Sequence, residues 1–239
     1  MLLQQSVSIN RTILGLLMKT LSLSAILLVT ASLVACGGGG GGTTAVIPTY
    51  SADAATTKLL AAGGTFTATA VSGSDTYTLS LSTTPDADAT FGGTTRKKST
   101  QSLTIKKNGV LAGVSTYDSY YSVNPLVSYG AVFSDGTYGV STGSYVTPTA
   151  AKVGDSGAAG TQVIYTNSTL ASILSTQTST WTMEADTATT AFYCLNSVIK
   201  NASNIQTSTG STCFKIDSGN NAIGLRITIT VSGTTLVFS

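Results

Sequence analysis

The chain contains no histidine and one glutamate, Glu184, so any acid–base or nucleophilic chemistry must come from that glutamate and from aspartates, lysines, cysteines and hydroxyl side chains. Two carboxylate pairs stand at i, i+2: Asp86 with Asp88, and Glu184 with Asp186. On a strand the members of such a pair share one face. A glycosidase needs its carboxyls across a cleft at about 5–9 Å, and a calcium site needs about 6–8 oxygens. The surrounding sequence supplies neither, and solvated strand ends and turns account for both pairs. Five basic residues fall in two clusters, Arg96-Lys97-Lys98 and Lys106-Lys107. They suit anionic lipid headgroups or surface polysaccharide, or act as charges that keep an edge strand from pairing with another chain. Six of the ten tyrosines lie between Tyr117 and Tyr145. Tyr117, Tyr120 and Tyr121 are candidates for stacking on a sugar or anchoring a protein interface. The alternative is core packing with the hydroxyl at the rim.

Two short motifs invite catalytic readings and fail them. Gly154-Asp155-Ser156-Gly157 resembles the sequence around the nucleophile of trypsin-like serine proteases, but that mechanism needs an imidazole to take the serine proton, and the chain has none. A turn rich in Gly, Asp and Ser fits the segment better. Ser197-Val198-Ile199-Lys200 resembles the S-x-x-K of serine β-lactamases and penicillin-binding proteins, whose S-D-N and K-T-G companions are missing. No enzyme activity, cofactor or metal is expected.

The elements that position these residues read as strands. Phe66, Ala68 and Ala70 alternate with threonines, and Tyr77, Leu79 and Leu81 alternate with Thr and Ser. Ile223, Leu225, Ile227, Ile229 and Val231 alternate with Arg226, Thr228, Thr230 and Ser232. Period two with one apolar face marks a half-buried strand. Asn108-Gly109, Asp135-Gly136 and Ser232-Gly233 are hairpin signals. A short helix is predicted from Ser51 to Ala62, with a Ser cap and a Gly63-Gly64 stop. About twelve hairpin-linked strands predict an all-β antiparallel meander forming a sandwich or barrel. A faint repeat divides the β region near Pro148 to Gly160. Ala61-Ala62-Gly63-Gly64-Thr65 is echoed by Ala158-Ala159-Gly160-Thr161, and Thr76-Tyr77-Thr78-Leu79 by Thr180-Trp181-Thr182-Met183. The echoes read either as two related units, 51–150 and 151–239, or as chance in a Thr-rich alternating sequence.

Composition agrees with β structure. Charged residues are 9% of the chain, against about 25% in typical soluble domains, and Ser and Thr supply the polar surface. Thr is a strand former on a half-buried pleat. Beyond residue 35, ten basic residues balance ten acidic ones, which argues against nucleic acid as a partner.

The N-terminal segment carries a lone Lys19, an apolar run from Leu21 to Val34, and then Leu33-Val34-Ala35-Cys36 followed by Gly37 to Gly42. The layout is that of a secretory signal peptide. A spanning helix starting near Ile13 would instead bury Lys19 near its centre, costing about 2.5–3.5 kcal/mol. Met18-Lys19-Thr20 would open an ordinary signal peptide by itself, with residues 1–17 as an upstream extension. Leu33-Val34-Ala35-Cys36 resembles the lipobox of Gram-negative bacterial lipoproteins. The resemblance implies a diacylglycerol thioether on Cys36, cleavage between Ala35 and Cys36, and acylation of the freed amine. Several acyl chains give stable anchoring where one does not. Gly37, rather than aspartate, follows the cysteine, which in that family implies sorting to the outer membrane. Residues 36–50 then form the lipidated cysteine and a Gly-rich tether with an end-to-end distance of about 20 Å.

Export to an oxidising compartment makes a disulfide the default for Cys194 and Cys213. The sequence therefore predicts a lipid-anchored envelope protein, at the cell outer membrane, with a non-catalytic β domain in a structural or interaction role. Its partners would be the membrane, through the acyl chains, and an envelope protein or glycan. A ligand-binding β module for glycan or a small apolar ligand is the alternative, and an envelope hydrolase is disfavoured.

Overall fold

The computed structural model describes residues 48–143, 147–231 and 234–239. Cys36, the glycine run and Tyr145 lie outside the described residues. The elements in chain order are β1 (Thr49–Tyr50), α1 (Ala52–Ala62), β2 (Gly64–Ser72), β3 (Asp75–Phe91), β4 (Thr94–Lys107), β5 (Val110–Ser122), β6 (Val127–Phe133) and β7 (Tyr138–Thr142). There follow β8 (Ala151–Lys152), β9 (Ser156–Tyr165), β10 (Ile173–Ala185), β11 (Thr190–Asn201), β12 (Gln206–Asp217), β13 (Ala222–Val231) and β14 (Thr234–Phe238). Thr49 and Tyr50, at the end of the expected tether, already belong to the fold: they pair with β8, and Tyr50 is buried.

The chain is an all-β antiparallel meander. Strands β2 to β7 and β9 to β14 form one twelve-stranded sheet with consecutive strands as neighbours. The segment around residue 150 interrupts the sequence but not the sheet, because β7 pairs directly with β9. The sheet curls until its first and last strands meet. Thr69 donates its amide to the Ser239 carbonyl at 3.1 Å, and Ser239 returns a bond to the Thr69 carbonyl at 3.0 Å. The result is a nearly closed barrel, the arrangement that removes exposed sheet edges.

Alternation decides which face points in. Leu79, Leu81, Leu103, Ile105, Leu195, Ile227, Ile229 and Phe238 fill the interior, and burying each such side chain contributes about 1.5–3 kcal/mol. Ser and Thr from the intervening positions coat the outside. The meander places the turns β2–β3, β4–β5, β6–β7, β9–β10 and β11–β12 at one rim, called here the far rim. Helix α1 and the turns β3–β4, β5–β6, β10–β11 and β12–β13 sit at the near rim. The rims are about 30 Å apart, at about 3.3 Å per residue.

Helix α1 forms where the sequence predicts it. The Ser51 hydroxyl accepts the Ala54 amide at 3.0 Å, satisfying one of the unpaired donors of the first turn. Gly63 ends the helix at φ 73°. A Cβ there would lie 2.9 Å from the Thr83 carbonyl oxygen, so the helix docks on β3 only with glycine at this site. The Asn108-Gly109 turn has both residues at positive φ, 50° and 80°, the two-residue hairpin that matches strand twist.

Candidate functional site

The start of β4 carries the first basic cluster, and register brings acids to it. The Lys98 Nζ lies 3.0 Å from Asp118 and 3.8 Å from Asp86. The Thr100 hydroxyl is within hydrogen-bond reach of both carboxylates, at 2.6 Å from Asp86 and 2.8 Å from Asp118. The bond to Asp118 raises the Lys98 pKa against the opposing effect of burial. Lys97 pairs with Asp88 at 3.1 Å. The Arg96 guanidinium stacks 3.5 Å over the Tyr129 ring, a favourable cation–π geometry. Two lysines thus take up three carboxylates while Arg96 rests on a ring, and the three cations and three carboxylates leave the patch locally neutral. Asp88 lies in a register shift of β3 that follows Asp86, and the two carboxylates serve different lysines rather than one ligand. Lys106 and Lys107 are at the opposite end of β4, on the far rim. Lys107 pairs with Asp75 at 2.7 Å, an interaction that lowers the Asp75 pKa and raises that of Lys107.

The three singled-out tyrosines have separate fates. Tyr117 points inward and donates its hydroxyl to Gln101 Oε1 at 2.6 Å, and burial pushes its pKa well up. Tyr121 points inward at the near rim, packed with Leu60 and Leu126. Tyr120 faces outward but is covered. Phe91, from the β3–β4 turn, lies between it and Tyr138, with ring centroids 4.6 Å and 4.9 Å away. The stack rests on Gly130, where a Cβ would fall 2.4 Å from the Phe91 ring. The structure therefore brings Arg96, Lys98 and Tyr120 onto one outer region, while Lys97, the register partner of Tyr121, belongs to the other face of β4 at the near rim. It leaves Tyr117 and Tyr121 inside, and Lys106 and Lys107 at the other rim.

On the opposite outer wall Cys194 and Cys213 face each other across β11 and β12 and form the disulfide. Arg226, directly across from Cys213 on β13, covers it. Its guanidinium donates to both sulfurs at 3.4 Å, stacks 4.4 Å over the Phe192 ring and pairs with Glu184. Beside it Lys215 pairs with Asp186 at 2.8 Å, and Thr190 donates to the same carboxylate. The lysine, more than the threonine, holds the Asp186 carboxyl below its usual range. Glu184 and the two sulfurs are close enough to resemble a metal site, but sulfurs bonded to each other offer no thiolate ligand. Glu184 and Asp186 thus each have a separate basic partner.

Ser197 faces the interior, hydrogen-bonded to Ser179 at 2.8 Å and to Gln177 at 3.1 Å. Lys200, three residues on, belongs to the other face of the strand, so the two do not form a nucleophile–base pair. Asp155 accepts the Lys152 amide at 2.8 Å; Gly154 and Asp155 lie in the turn between β8 and β9, and Ser156 and Gly157 open β9.

Sequence reasoning missed a polar region inside the barrel. Gln101 donates to Ser119 at 3.1 Å, and Gln177 to Ser179 at 3.2 Å. Between Ser141 of β7 and Gln177 of β10 stands Gln162, fully buried, and neither end of its amide has a partner among the described residues. Gln162 lies against Gly139, where a Cβ would come within 2.9 Å of its Nε2. The signal was available: Gln101 shares the parity of Leu103 and Ile105, a polar residue on the apolar face of an alternating strand. Two open grooves lie on the outside among the described residues. One of about 300 Å³ lies between α1 and the start of β2, near Lys58 and Phe66. The other, about 360 Å³, crosses the Ser/Thr-rich outside of β10 to β13.

No helix among the described residues is long and apolar enough to cross a membrane. No family model, curated protein or solved structure matches the chain.

Proposed function

We propose that this is a lipid-anchored cell-envelope protein, sorted to the outer membrane, whose β-barrel is a non-catalytic interaction module. The observation that carries the reading is Leu33-Val34-Ala35-Cys36 at the end of a signal-peptide-like run, followed by six glycines. Supporting it, the carboxylates of both i, i+2 pairs are taken up by lysines or an arginine on the barrel wall. An outer face of Ser and Thr suits an aqueous compartment. Membrane fractionation tests the proposal. Native protein is expected in the outer-membrane fraction, and Cys36→Ala is expected to leave it as uncleaved precursor. Equal processing and distribution of both forms would sink it.

A second reading, a ligand-binding barrel, is favoured by one feature: the buried amide of Gln162, with neither end bonded among the described residues. It predicts that a small polyol or amide ligand raises the melting temperature of the native chain and has no effect on Gln162→Met.

A further inference from the structure

Eleven large aliphatic side chains are prominently exposed among the described residues, and seven of them, from 41% to 73% exposed, cluster at the far rim. The β2–β3 hairpin presents Val71, and β4–β5 presents Val110 and Leu111. The β9–β10 hairpin presents Leu170, Ile173 and Leu174, and β11–β12 presents Ile205. Each projects beside a turn built of Ser, Thr, Asn or Gly, so the rim carries separate apolar fingers rather than one flat patch.

Leu170 shows that this is not incidental. Among the described residues, five other than glycine have positive φ, and four of them are asparagines, the residue type that tolerates this conformation. The fifth is Leu170, at φ 59°. Its backbone would be satisfied by Asn or Gly, and its side chain is 44% exposed, so the fold does not require leucine there. Lysines accompany the fingers. Lys106 and Lys200 make no ion pair among the described residues, and Lys107 pairs with Asp75. Asp75 and Asp135 are the rim's carboxylates, so it is slightly cationic, whereas the near rim and walls hold the other eight carboxylates against seven basic residues.

We propose that the far rim is a lipid-docking surface. Its aliphatic fingers enter the acyl boundary of an anionic bilayer, and Lys106, Lys107 and Lys200 meet the headgroups. Separate protruding fingers flanked by lysines suit a fluid bilayer, which closes around each one. The described chain starts at the near rim, where β1 pairs with β8, about 30 Å away, so this contact is distinct from any anchor at Cys36 and does not depend on it.

The test places a reporter at the rim of the full chain. Ile205→Trp is mixed with phosphatidylcholine vesicles containing phosphatidylglycerol and bromine-labelled acyl chains, with the unmodified chain correcting for Trp181. Quenching of the new tryptophan is expected, whatever the N-terminal segment does. Adding Leu170→Asn, Leu174→Ser, Val110→Thr and Leu111→Thr is expected to abolish it and to weaken vesicle binding about a hundredfold, given the apolar area removed. Leu170→Asn alone is expected to weaken binding while leaving the melting temperature equal or higher, since asparagine relieves the backbone. A lower melting temperature would assign Leu170 a structural role and overturn the argument. An unquenched reporter would overturn it too, as would concentration-dependent dimers in sedimentation that bury the rim against a second copy.

Discussion

Breaking the Cys194–Cys213 disulfide is expected to lower stability by about 3 kcal/mol. The two residues are 19 apart in sequence, and cross-linking a loop of about 20 residues removes about 11 cal/mol/K of unfolded-chain entropy, or about 3 kcal/mol at 25 °C. Native contacts contribute little to the difference. The cysteines sit directly opposite each other in a ladder that continues on both sides, from Thr190↔Asp217 to Ile199↔Ser208. Arg226 remains fixed by Glu184 and Phe192 when the sulfurs separate. Urea unfolding of oxidised protein, reduced protein and Cys194→Ala/Cys213→Ala is the assay. Reduction should lower the midpoint and raise the m-value, because the uncrosslinked chain exposes more surface. The melting temperature should fall by about 6–12 °C for a domain of this size. The double alanine should lose slightly more, since both cysteines are buried. Identical midpoints for oxidised and reduced protein would refute the reasoning.

Other consequences follow from individual side chains. Phe238→Ala, at a fully buried position beside the closure of β14 on β2, is expected to cost about 3–5 kcal/mol in urea unfolding; a loss below 1 kcal/mol would mean the barrel does not depend on that seam. Gln162→Met removes a buried amide with no partner among the described residues and should raise stability by about 1–2 kcal/mol, whereas a loss would show that bound water or a ligand satisfies it. Asp186, Asp75 and Asp217 have pKa values lowered chiefly by Lys215, Lys107 and Asn221. Their contribution is complete above the unfolded value of about 3.9 and is lost as pH falls through the lower folded values. Urea midpoints should therefore drop below about pH 4, and Asp186→Asn should flatten that drop.

Much of this architecture is local and was legible in the sequence. The alternation of Leu225, Ile227 and Ile229 with Arg226, Thr228 and Thr230 assigned both faces of β13, and the structure buries the former, whereas Ile223, expected on the same face, falls in the register shift at the start of the strand and is exposed. Asn108-Gly109 and the Ser51 cap each rest on one turn of backbone, so they too could be read directly. What was hidden depends on register between distant strands. Lys98 meets Asp118 only because β4 and β5 pair with Thr100 opposite Asp118. Nothing near Tyr120 in sequence announces that Phe91 folds over it, although Gly130 leaves the space. A period of two says that Tyr120 and Tyr121 point to opposite faces, but not that the outward one is covered. Gln162 was missed because an isolated polar residue on an inward face carries no motif. The pairings of β7 with β9 and of Thr69 with Ser239 close the ring over long sequence separations, beyond the reach of any local pattern.

Lipid on Cys36, as proposed, holds the barrel at the envelope. Mass spectrometry of the mature protein from its native host tests it most directly. An N-terminus at Cys36 carrying a thioether-linked diacylglycerol and an acylated amine is expected. An N-terminus elsewhere, or an unmodified Cys36, would contradict it.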